Sequence, residues 1–116
     1  MQTKKIYQNI KPELLFDALK DLIIKQGAVV AESKMETYSL PNDSSSFISR
    51  GTLTFKTPAE PGKTPRECIR GYIVGSARGE TKLMLDIDDS LFSPDKVASL
   101  QDDLDFLLGS YEKKPA

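Results

Sequence analysis

The chain has 116 residues, the length of one ordinary domain. Its 16 Lys plus Arg nearly balance its 17 Asp plus Glu, for a net charge of -1, and 39% of residues are hydrophobic. That excludes a composition-driven disordered chain, and it excludes bulk charge as the means of concentrating nucleic acid or an anionic membrane. The single cysteine, Cys68, excludes a disulfide framework, and the lack of histidine removes the commonest general base and metal ligand.

The N-terminal Lys4 and Lys5 are not followed by an apolar stretch of the signal-peptide kind, and the apolar runs are far shorter than the ~20 residues of a membrane span. With a lone cysteine, this predicts a protein of the reducing cytoplasm.

In chain order, Lys4 to Ile10 reads as a short first strand. Pro12 and Glu13 then open a helix that Gly27 ends, because proline at the first helical position has no N–H to waste and glycine accepts the left-handed backbone past the last turn. Between them Leu14, Leu15, Ala18, Leu19, Leu22 and Ile23 fall on one stripe at helical spacing. From Ala28 the period becomes two. Val29, Ala31, Ser33, Met35 and Thr37 alternate with Val30, Glu32, Lys34, Glu36 and Tyr38. Pro41-Asn42-Asp43-Ser44 is a turn cluster. The next strand puts Phe47, Ser49, Gly51, Leu53 and Phe55 on one face and Ile48, Arg50, Thr52, Thr54 and Lys56 on the other.

The proline-rich stretch from Pro58 to Pro65 suits neither a helix nor a central strand and reads as a surface loop. Glu67 to Ala77 returns to strand, with Ile69, Gly71, Ile73 and Gly75 opposite Cys68, Arg70, Tyr72 and Val74. After an Arg78-Gly79-Glu80 turn, Leu83, Leu85 and Ile87 alternate with Lys82, Met84 and Asp86. Ser93 caps a second helix opened by Pro94 and Asp95, whose apolar stripe is Val97, Leu100, Leu104, Leu107, Leu108 and Tyr111. Residues from Lys113 to Ala116 read as a frayed tail.

The expected fold class is therefore α+β, one domain over 1–116, in which two helices lie on one face of a curved antiparallel sheet. Val29, Met35, Phe47, Leu53, Phe55, Ile69, Ile73, Leu83, Leu85 and Ile87 are expected on the covered face. This β-α-β4-α order resembles the single repeat of the TATA-binding-protein-like fold and, more loosely, the helix-grip fold of START-type lipid-binding proteins. The resemblance spans nearly the whole chain but is one of element order, so no functional residue follows from it. Three features set the chain apart. It has one repeat rather than two, its strand phenylalanines point to the helix side, and it is short for a large cavity.

No catalytic set emerges. Cys68 and the serines Ser44, Ser45 and Ser46 have no histidine to activate them. Gly62-Lys63-Thr64 lacks both the earlier glycine and the following helix of a phosphate-binding loop. Asp86, Asp88 and Asp89 have the chemistry of an oxygen-ligand cation site, but acids before a helix are electrostatically welcome and the bland reading is preferred. No cofactor is expected.

Gly71 and Gly75, facing Leu104 and Leu108 of the second helix, leave room either for close packing or for a small apolar ligand; packing is the default for a protein core. The uncovered face is more informative. Parity puts Val30, Ile48, Tyr72, Val74 and Met84 there, with Arg50, Arg70, Glu32, Lys34 and Lys82 around them. An apolar centre with Tyr, Met and Arg at a charged margin has the composition of a protein–protein interface. The expected partner is a protein or a second copy of the chain. Nucleic acid is a weaker expectation, because Glu32, Glu36 and Asp86 share that face. Phe106, among Asp102, Asp103 and Asp105, is a second exposed aromatic.

Overall fold

The computed structural model describes residues 1–40, 43–76 and 79–113, and the side chains of residues 40 and 43–46 lie outside that description. The element order is β1 (Gln2–Tyr7), α1 (Pro12–Lys25), β2 (Val29–Leu40), β3 (Asp43–Lys56), β4 (Glu67–Gly75), β5 (Thr81–Ile87), α2 (Pro94–Leu108) and a terminal 3-10 turn (Gly109–Tyr111). The strands form one antiparallel sheet in the order β1-β5-β4-β3-β2, so the fold is α+β, as the alternation predicts. β1 and β2 occupy opposite edges, and the chain between them crosses the sheet as α1. Both helices lie on one face, burying Leu15, Leu19, Ile23, Leu100 and Leu104 against Leu53, Phe55, Ile69, Ile73, Leu83, Leu85 and Ile87.

The helix signals act as read. Pro12 sits in the first turn of α1, and Gly27 follows it at φ 97°. The Ser93 hydroxyl accepts from the Lys96 N–H at 3.3 Å and caps α2. Their stripes lie differently from the prediction. Leu14, Leu107 and Tyr111 are exposed, whereas Phe16 and Phe92 are buried. Phe16 reaches the core because Gly51 leaves space for it: a Cβ on Gly51 would sit 2.6 Å from the Phe16 Cδ2.

Register shifts change the predicted alternation at Val30/Glu32 and Phe55/Lys56, and a third lies between Ser39 and Leu40. β2 and β3 slip between Val30 and Glu32, so Val30 pairs with Phe55 and packs against the core, while Val29 is exposed. An extra residue on one strand reverses the side-chain faces on its two sides. Val30 therefore leaves the outer-face set and Val29 leaves the covered set. β4 slips in the same way between its pairings to Lys56 and Phe55, and Cys68, at that step, is buried. Phe47 keeps the helix-side parity, opposite Ser39, yet is 52% exposed. β3 pairs with β4 only from Ser49 onward, so the β2–β3 hairpin overhangs the body of a molecule 53 × 30 × 19 Å in extent. Residues 41–42 of the predicted turn lie outside the described residues, and Asp43 already belongs to β3. Residues 77–78 of the second predicted turn lie outside them too.

Lys113, expected in a frayed tail, is tied down. Its N–H donates to the Ile6 carbonyl at 2.7 Å, and the Gln8 N–H donates to the Tyr111 carbonyl at 2.7 Å, so residues 111–113 lie along the end of β1. Its ammonium meets Glu80 at 2.6 Å and holds that carboxyl below the usual carboxylate range. Residues 114–116 lie outside the described residues. Lys5, on the helix side of β1, binds Asp105 of α2 at 3.1 Å and Glu112 at 3.0 Å. Burial opposes its charge, but these two carboxylates hold the ammonium above its ordinary value. Next to it Tyr7 is fully buried, and its hydroxyl has no hydrogen-bond partner among the described residues.

Candidate functional site

Strand pairing assembles the face that no helix covers. One row across the sheet runs Glu36, Arg50, Val74, Lys82, Ile6. The next runs Lys34, Thr52, Tyr72, Met84, Lys4, and a third runs Glu32, Thr54, Arg70, Asp86, Gln2. Tyr38 and Ile48 pair above them on the hairpin. Tyr72 is 37% exposed and Val74 is 38% exposed, so among the described residues no helix or loop seals them. With adjacent strands ~4.8 Å apart, Tyr72, Val74 and Met84 make a contiguous apolar centre, with Tyr38 and Ile48 beyond Arg50 on the hairpin.

Of the predicted face residues, Ile48, Arg50, Arg70, Tyr72, Val74 and Met84 share this surface and Val30 does not. Tyr38 and Ile6 belong to it as well. Parity along β2 was the signal for Tyr38, whereas Ile6 depends on β1 pairing with β5, which nothing local to β1 specifies.

The charged margin is partly organised. The Arg70 Nε donates to Glu67 Oε1 at 2.9 Å and its Nη2 to Glu67 Oε2 at 3.1 Å, a two-point clamp that also brings Nη1 to 3.5 Å from the Tyr72 hydroxyl. Lys34 and Glu36 pair at 2.8 Å along β2, and the carboxylate raises the ammonium above its ordinary value. The Gln2 amide reaches the Met84 sulfur at 3.2 Å.

The other predicted sites read differently. A Cβ on Gly71 would lie 3.3 Å from the Leu85 side chain and 3.5 Å from that of Leu19. One on Gly75 would lie 2.8 Å from the Thr81 Cα. Leu104 and Leu108 are buried in the core. The space beside both glycines is thus taken by neighbours, which supports packing there. Asp88 accepts from the Ser90 N–H at 3.0 Å and from its hydroxyl at 2.5 Å, and those bonds hold its carboxyl below the usual range. Among the described residues no three acidic or cysteine side chains converge as a metal site. An open depression of about 440 Å³ lies at that end of the sheet, lined by Glu67, Cys68, Arg70, Asp86 and Asp88. Burial pushes the Cys68 thiol up, away from a reactive thiolate.

Among the described residues no helix is long and apolar enough to cross a membrane. The chain matches no family model, no curated protein and no solved structure.

Proposed function

We propose that this chain is a non-enzymatic interaction module of the reducing cytoplasm that receives a protein partner on its uncovered sheet face. The observation that carries the reading is the contiguity of Tyr72, Val74 and Met84 on a face over which no described helix lies, with Ile48 nearby on the hairpin. Aromatic and aliphatic side chains fixed on strands offer contact area at small entropic cost, and Tyr and Arg are favoured interface anchors. Arg50, Lys82 and Lys4 at the margin suit a partner with acidic groups around an apolar patch. Kinship with single-repeat TATA-binding-protein-like domains, or more loosely with helix-grip domains, is part of this proposal and rests on the β-α-β4-α order.

Photo-cross-linking tests it in cells. Benzoylphenylalanine at position 72 should yield a discrete protein adduct, and Val74→Asp in the same chain should abolish it. The same probe at position 17, exposed on α1, should yield none. Equal adducts from both positions, or adducts from position 17 alone, would sink the reading.

A further inference from the structure

The two edges of the sheet are finished differently. At the β1 edge Tyr111 and Lys113 pair with Gln8 and Ile6. At the other edge β2 runs for 12 residues with β3 on one side and no described strand on the other. Such an edge presents alternate N–H and C=O groups outward, and chains commonly blunt it with charge or a bulge. Here register shifts sit at both ends, near Ala31 and between Ser39 and Leu40, and leave a regular run from 32 to 39. The charges along that run alternate on the outer face: Glu32, Lys34, Glu36.

We propose that β2 is a dimer edge, at which a second copy of this chain pairs antiparallel about a twofold axis at Met35. In a continuous sheet, residues directly opposite each other share a face. With the axis at Met35, Lys34 lies opposite Glu36 of the second copy, and Glu36 opposite its Lys34. Tyr38 then faces Glu32, and on the helix side Ser33 faces Thr37. Lys34 and Glu36 already touch within one strand, so the two copies close a ring of four alternating charges. An axis at Lys34 or at Glu36 sets like charges against each other, which destabilises a cross-strand pair. An axis at Ser33 drives the pairing into the bulge. An axis at Ser33 also sets Glu32 opposite Lys34, so Met35 is the one charge-complementary register that keeps the central pairs clear of the bulge.

The axis stands normal to the sheet, so all four helices lie on one side of a ten-stranded sheet and both uncovered faces lie on the other. This goes beyond the reading of the outer face, because the edge and the Tyr72–Val74 centre are separate surfaces and fail separately.

Sedimentation equilibrium of the full chain is the test, with circular dichroism to check that each variant folds. The unsubstituted chain is expected to dimerise at micromolar concentration. Lys34→Glu or Glu36→Lys alone turns two symmetric attractive pairs repulsive and should raise the dimer Kd about tenfold or more. The double swap should restore the dimer, and Tyr72→Asp should leave it intact. A chain that stays monomeric at sub-millimolar concentration overturns the proposal. So does a dimer indifferent to both single swaps, one that the double swap does not restore, or one lost with Tyr72→Asp.

Discussion

The two faces of β4 and β5 are built from the same strands and meet opposite fates. On one side Ile69, Ile73, Leu83 and Leu85 are sealed beneath α1 and α2; on the other Arg70, Tyr72 and Val74 stand in solvent. The difference teaches where stability resides. Burial of apolar area is the main favourable term in folding, and only the covered face supplies it in quantity. The outer face carries comparably bulky residues at little benefit to the fold, which leaves them free for contact with something else. Substitutions on the two faces should therefore separate cleanly.

The largest effect belongs to the covered face. Ile73→Ala removes a side chain that is 1% exposed at the middle of the sheet. It should cost about 2–5 kcal/mol, lost transfer energy plus a cavity that close neighbours cannot fully collapse. Urea unfolding measures it, as a fall in midpoint at unchanged slope. A loss under ~1 kcal/mol, the scale of a surface change, would mean that the face is not sealed.

That contrast of faces was legible in the sequence because a period of two needs only one apolar face to announce itself. Leu53, Phe55, Ile69, Ile73, Leu83, Leu85 and Ile87 all lie where alternation put them. The helices were legible too, since Pro12, Gly27 and Ser93 act locally. What was not legible depends on neighbours. The slip at Val30 carries no glycine or proline to mark it, and it emerges only when β2 is fitted against β3; one extra residue was enough to exchange Val29 with Val30. The burial of Phe16 depends on Gly51, a residue 35 positions away in sequence that shares its layer only in the folded chain. Phe47 has the right parity but lies beyond the reach of the helices, because the hairpin is longer than the sheet it leaves. The outer-face site was mostly readable from parity alone, and its one loss, Val30, followed from the same bulge.

An intermediate effect is expected at the rim of the covered face. Burial pushes the Tyr7 phenol up to about 12 from an ordinary 10.0; Lys5 works against that rise, while Glu112 and Asp105 add to it. The unfolded chain therefore releases this proton near pH 10 while the folded chain keeps it. Stability is complete below pH 10 and falls as pH climbs toward about 12, by on the order of 2 kcal/mol. Tyr7→Phe removes that slope. At neutral pH it should also leave stability equal or about 1 kcal/mol higher, since the hydroxyl is buried without a partner among the described residues. Denaturant midpoints of both proteins across the alkaline range decide it, and parallel curves would place Tyr7 in water.

The smallest effect on stability, and the sharpest on the comparison, belongs to the outer face. Tyr72→Thr and Val74→Thr keep the β-branched or strand-favouring character that the pleat needs while removing apolar contact area. Each should shift unfolding by no more than about 0.5 kcal/mol, because both side chains are solvent-exposed and no described helix packs over them. The cross-strand contacts of Tyr72 with Thr52 and Met84 set the upper end of that range, and those of Val74 with Arg50 and Lys82 the lower. A cost approaching that of Ile73→Ala would show the outer face to be a second core, covered in solution by part of the chain or by another molecule. A near-zero cost of Val74→Thr, joined to loss of the position-72 adduct in that variant, would leave Val74 with no role except recognition.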